Sequence, residues 1–156
     1  MSEPVEPTDG RSERPGDGMR ETMRGAVVVA WAPDEHGEAA LIWGIAEARE
    51  RACPVVVVNA SRGDAYVDDR YAFAEQLADV ERTLAASGLD HAVRQDVVSD
   101  VAEHVVDLAD SLEAVRIVVG LRRRTPVGKL LMGSVAQRIL LDAHCPVLAV
   151  KAGTRP

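Results

Sequence analysis

The sequence predicts a three-layer α/β domain, with helices on both faces of one parallel sheet, and three observations carry that prediction. Apolar runs of strand length alternate along the chain with stretches of helical periodicity. Two of the runs, AVVVAWA at Ala26–Ala32 and PVVVVNA at Pro54–Ala60, are continuously apolar rather than alternating, as strands covered on both faces are. The 156 residues are 47% hydrophobic but only 3% aromatic, so the core must be built from Val, Leu, Ile and Ala.

Taken in order, Ala26 to Ala32 reads as the first strand. The loop Pro33-Asp34-Glu35-His36-Gly37 leads into a helix through about Arg51, and Pro54 to Ala60 is the second strand. After a loop at 61–67, Phe73, Leu77, Val80 and Leu84 recur at helical spacing and make one apolar stripe, ended by Ser87-Gly88. His91 to Val97 alternates and forms a shorter strand; Val101, Val105, Leu108 and Leu112 mark the next helix. Val115 to Val119 is a fourth strand ended by Gly120, a loop rich in Arg, Pro and Gly runs to Gly133, Ser134 starts a short helix to about Ala143, and Val147 to Val150 is the fifth strand. Such alternation implies parallel pairing through right-handed crossovers. Ligands of these sheets bind beyond the carboxyl ends of the strands, where strand order reverses. The first and fourth strands are candidates to flank that point, which directs attention to 32–37 and 120–134.

Composition bounds the function. Lys and Arg number 18 against 25 Asp and Glu, a net charge of −7, which speaks against an extended nucleic-acid surface or an anionic membrane. The five aromatics, Trp31, Trp43, Tyr66, Tyr71 and Phe73, are too few for a base-stacking surface. No apolar run approaches the roughly 20 residues of a membrane span, and the first residues show no basic-then-apolar signal pattern. With Cys53 and Cys145 alone no disulfide framework follows, so a reducing cytoplasm is expected. Residues 1–23, with three prolines and almost no large apolar side chains, read as a disordered tail or an overlong start before a domain at 24–153.

The segment from Gly120 to Ser134 is the most informative. Gly120 at a strand end lets backbone approach a ligand closely, Ser134 can cap the following helix, and free amides at that helix start favour an anion. Arg122, Arg123, Arg124 and Lys129 crowd the same loop. Together these describe a cradle for a small phosphate-bearing ligand; they also describe an ordinary strand-to-helix turn with solvated arginines. A Walker A loop is absent, because Gly128-Lys129 has Arg123 five residues earlier and Leu130 next. The Gly-x-Gly-x-x-Gly dinucleotide fingerprint is absent too, since the first loop offers only Gly37.

On these residues the sequence resembles the universal stress protein family, over roughly Gly25 to Ala152 and most specifically in IVVGLRRRTPVGKLLMGSVAQRILLDAHCPVLAVK at Ile117–Lys151. Nucleotide-binding members of that family carry Gly-x2-Gly-x9-Gly-Ser/Thr here. Gly120, Gly133 and Ser134 keep the outer glycines and the hydroxyl in register, while Arg123 replaces the second glycine. Those members also hold an Asp at the end of the first strand, beside the adenine; that place is Ala32, and Asp34 two residues later reads as a solvent-facing loop acid. The resemblance implies a five-stranded Rossmann-like sheet in the order 3-2-1-4-5, of the adenine nucleotide alpha hydrolase-like kind. It implies ATP or another adenine nucleotide as ligand, with Ala32, Val57, Gly120, Arg122, Arg123, Gly133, Ser134 and Val135 as the site. With two positions altered, a variant site is expected in which Arg122 to Arg124 contact an anion or fill the phosphate space. The resemblance further implies homodimers paired through the last strand, Val147–Val150, which in this order is an apolar sheet edge.

Nothing marks an enzyme strongly. No Gly-x-Ser-x-Gly elbow is present. His36 reads as a surface residue of the first loop, His104 as a helix-flank residue, and His144 before Cys145-Pro146 as half a metal site without its other half. On the implied strand order, strands 2 and 5 stand three spacings apart, about 14 Å, beyond the roughly 7 Å that a disulfide spans, so Cys53 and Cys145 read as small buried turn residues. The functional expectation is a cytoplasmic, homodimeric, non-enzymatic stress-response or regulatory protein that binds an adenine nucleotide at a variant site. A scaffold acting through protein partners, or a weak ATPase, is the alternative. No catalytic or metal-ligating residue is assigned.

Overall fold

A computed structural model describes residues 16–63, 70–122 and 132–156, and the valine runs in them form the middle of one sheet. The elements are α1 (Asp17–Thr22), β1 (Val27–Ala30), α2 (Glu35–Arg51), β2 (Val55–Ser61), α3 (Ala74–Ser87), β3 (His91–Val97), α4 (Val101–Ser111), β4 (Arg116–Leu121), α5 (Ser134–Asp142) and β5 (Val147–Lys151). All five strands are parallel, in the order β3-β2-β1-β4-β5, as the resemblance implies. β1 lies at the centre: Val29 is in register with Val57 on one side and Val118 on the other.

Side chains of successive strand residues point to opposite faces, so each valine run supplies two layers at once. Val27, Val29, Val55, Val57 and Val118 pack with residues of α2 and α3. Val28, Val56, Val58, Ile117 and Val119 pack with α4 and α5, and with Met19 and Met23 at the start of the described chain. A strand covered on both faces has no use for polar alternation, which is why these runs are unbroken. β3, at one edge, is only partly buried along its length.

Three local readings are revised. Phe73, placed on the buried stripe, is 59% exposed and is instead the N-cap of α3, whose Gln76 side chain accepts from the Phe73 N–H; only Val80 and Leu84 of the stripe are buried. The helix after the first strand starts at Glu35, so most of the expected loop is helical. Within the stretch read as a disordered tail, residues 17–22 form α1 and Met23 is buried. Two methionines four residues apart share one helix face, which is enough apolar surface to anchor so short an element. Residues 1–15 lie outside the described residues.

At the amino end of the sheet Cys53 and Cys145 are free and half-buried, and burial pushes both thiols up, away from the reactive thiolate. Three strand positions separate β2 from β5, as the argument against a bridge requires.

α2 lies so close to the sheet that one helical position must lack a side chain. A Cβ on Gly44 would stand 2.2 Å from Cγ2 of Val29, a residue with no exposed surface on the central strand. Alanine at a helix interior is favoured over glycine by about 1 kcal/mol, but overpacking a rigid core costs about 1–3 kcal/mol. Gly44→Ala should therefore lower the unfolding free energy by about 1 kcal/mol in urea titrations. A gain in stability would show that α2 can lift away from β1.

Candidate functional site

The loops after β1 and β4 meet where strand order turns, at the carboxyl edge of the sheet. The amino end of α2 is seated directly on this edge. A Cβ on Gly120, one residue from the end of β4, would come 2.5 Å from the His36 carbonyl oxygen. A Cβ on Gly37 would come 1.8 Å from the carbonyl oxygen of Ala32. Gly120 thus permits close approach of backbone, as the sequence suggests, but the backbone that approaches is that of His36 rather than a ligand.

Asp34 is the N-cap of α2, and its Oδ1 accepts from the Gly37 N–H at 2.8 Å. Its Oδ2 lies 3.5 Å from Nη2 of Arg122, and both side chains are more than half buried. The expectation of a solvent-facing loop acid is therefore corrected: the cap geometry turns the carboxylate inward, where the chain leaving β4 brings Arg122 to it. The Arg122 side chain also runs beside the start of α5, its Cδ 3.8 Å from where a Gly133 Cβ would stand. His36 is corrected as well. Its side chain is only 13% exposed, and Nδ1 is buried with no hydrogen-bond partner among the described residues.

At α5 the N-cap is Gly133, and no side chain caps the helix. Ser134, expected to cap, is the first helical residue, one position too far along for its hydroxyl to reach back to the first amides. Those amides face the same edge as Arg122 with no side-chain acceptor among the described residues.

A buried polar network supports the other half of the edge. Asn59 has no exposed surface, yet every polar atom of its amide is used. Nδ2 donates to the carbonyls of Trp31 at 3.2 Å and Arg70 at 2.6 Å; Oδ1 accepts from Ala72 N–H at 3.2 Å and from Gln95 Nε2 at 3.1 Å. Gln95 Nε2 also donates to the Ala72 carbonyl at 2.7 Å. One side chain thereby ties the end of β1, the segment entering α3, and β3 into a single rim. Asp100, the N-cap of α4, bonds Arg138 of α5 at 2.5 Å, and that guanidinium holds its carboxyl below the usual range.

The structure thus brings Gly120, Arg122, Gly133 and Ser134 together, with Asp34 added. It separates others of the expected set. Val57, the third of the seven residues of β2, is wholly buried between Val29 and Val93, so it has no surface to offer a ligand. Ala32 is at the right edge but 5% exposed, covered by the first turn of α2. Val135 packs partly against the core beneath α5. Arg123, Arg124 and Lys129 lie outside the described residues. Of the histidines, His104 bonds Asp96 at 2.8 Å and His144 bonds Asp110 at 2.9 Å. No cluster of three or more metal-ligating side chains occurs among the described residues. No described helix is long and apolar enough to cross a membrane.

Asn59 was missed in the sequence although a signal existed: it is the one hydrogen-bonding amide in PVVVVNA, and a buried strand tolerates such a group only when it is satisfied. Asn59→Leu should leave the Arg70 and Trp31 carbonyls and the Ala72 N–H without their partner. The expected cost is about 2–3 kcal/mol of unfolding free energy, read from denaturant midpoints. A cost under about 0.5 kcal/mol would mean that the rim closes without Asn59.

The family model described as Universal stress protein family matches residues 23–151. A universal stress protein of Mycolicibacterium smegmatis is 48% identical over 125 residues, covering 80% of this chain and 96% of that protein. The solved universal stress protein of Archaeoglobus fulgidus superposes with a TM-score of 0.65 at 29% identity, covering 82% of this chain and 98% of that one. Another structure from that organism, in complex with dAMP, gives 0.62 at 25% identity, covering 83% and 99%.

Proposed function

The chain belongs to the universal stress protein family, and on that premise we propose that it is a non-enzymatic, homodimeric regulator that binds an adenine nucleotide at the edge between β1 and β4. One observation carries the reading: Arg122 and the uncapped amino end of α5 converge on the switch point of the sheet. Unbonded amides at a helix start favour an anion, and a guanidinium beside them adds charge and paired donors. The related protein solved with dAMP supports the same ligand class. The nucleotide phosphates lie at Gly133 and Ser134 in this reading, and Arg122 contacts them. Ala32 and Val57 contribute the walls beneath the site rather than contacts, since neither has surface to spare.

Isothermal titration with AMP and ATP tests this on protein freed of bound ligand by denaturation and refolding. Saturable binding is expected, weakened about tenfold or more by Arg122→Gln, the range for a lost charge-assisted hydrogen bond. Absence of heat with both nucleotides at millimolar concentration, together with no melting shift, would refute it.

Dimerisation through β5 is the second part of the reading. β5 ends the sheet, and the Ile117 N–H bonds the Pro146 carbonyl. Alternation along a parallel ladder then turns the amides of Val147 and Ala149 outward. An apolar edge with unpaired amides invites a second copy. Sedimentation at micromolar concentration should give twice the 16.7 kDa chain mass, and Ala149→Pro, which removes an outward donor, should give one. A wild-type mass of one chain would overturn the dimer.

A further inference from the structure

We propose that Asp34 is a resident anion of the site, holding Arg122 in competition with the phosphate of a bound nucleotide, so that the free protein restrains its own affinity. The inference rests on the nucleotide reading above and deepens it.

Three facts lead to it. Asp34 divides its carboxylate, with Oδ1 on the Gly37 N–H at 2.8 Å and Oδ2 facing Arg122 Nη2 at 3.5 Å. The Arg122 side chain passes Gly133, the N-cap of α5, with its Cδ 3.8 Å from where a Gly133 Cβ would stand, and its guanidinium lies at Asp34, the N-cap of α2. Both charged side chains are more than half buried, which shields them from salt better than an exposed pair. The cap alone does not need a charge. Asn and Ser cap a helix about as well as Asp, so the negative charge at residue 34 acts on Arg122 rather than on α2. A carboxylate and a phosphate oxygen make the same demand of a guanidinium. An arriving phosphate therefore meets an Arg122 already neutralised, and a carboxylate that repels it. Binding is an exchange of one anion for another, and its strength depends on how readily Asp34 gives Arg122 up.

The test is a double-mutant cycle read by titration with AMP on wild type, Asp34→Asn, Arg122→Gln and the double variant. Asn keeps the cap and deletes the charge; Asp34→Ser serves in its place should Asp34→Asn fail to show a cooperative melt. Removal of a pair of this kind should tighten AMP about fivefold. The gain should vanish in the Arg122→Gln background. Unchanged or weaker affinity in Asp34→Asn, beside measurable binding by wild type, overturns the inference and leaves the nucleotide reading standing. A gain that persists without Arg122 overturns it too, because simple charge repulsion then accounts for the effect. Failure of wild type to bind AMP or ATP removes the nucleotide reading, and this inference with it.

Discussion

The close seating of α2 on the carboxyl ends of β1 and β4 is the constraint on which the rest of the edge depends. Gly37 presses on the Ala32 carbonyl and Gly120 on the backbone of His36, and neither contact leaves room for a side chain. With the helix start held there, Asp34 falls at the cap position, and its carboxylate turns towards the crevice. Arg122, two residues beyond Gly120, then has a partner within reach as the chain leaves the sheet. A glycine contact between backbones, itself without polarity, decides which charges meet.

That geometry also resolves the tension between an acidic chain and an anionic ligand. A net charge of −7 acts over the whole surface, but at physiological salt a field decays over about 8 Å. Beside Gly133 stand the Arg122 side chain and the amides of α5, and Asp34 is engaged by a cap and an ion pair. The overall charge disfavours a long polyanion, which must lie along the surface. A single phosphate samples only the local balance.

Much of the architecture was legible because it is written in period. The unbroken valine runs, the helical stepping of Val101, Val105 and Leu108, and the alternation of His91–Val97 each have one physical reading, and the elements formed there. Strand order came from the resemblance rather than from periodicity, which is blind to it. The site was legible where backbone chemistry sets it, since glycine at a strand end marks close approach at Gly120, while Gly133 came from the resemblance. Side-chain roles were not. Asp34 and Arg122 are 88 residues apart, and no spacing rule joins them. Phe73 matched the stripe by spacing yet lies at N-cap, where the helical face is not yet established. Val57 fits the second strand well but sits too near its amino end to meet a ligand, a distinction of two or three residues that an apolar run does not mark.

The two ends of the sheet differ in what their polar groups do. At the amino end Glu47 of α2 is held by two arginines, Arg51 at 2.8 Å along the helix and Arg116 at 3.0 Å from β4, and the neighbouring thiols are pushed towards the neutral form. Arrangements of that kind fasten a helix to a strand. At the carboxyl end, among the described residues, His36 Nδ1 is buried without a partner and α5 starts without a side-chain cap. Buried polar groups in this state raise the free energy of the unliganded protein and lower it when a ligand supplies what they lack. The rim around them is nevertheless rigid, because Asn59 and Gln95 satisfy every group they touch. A stiff rim around such groups is the form that preorganisation takes, since the cost of ordering is met during folding.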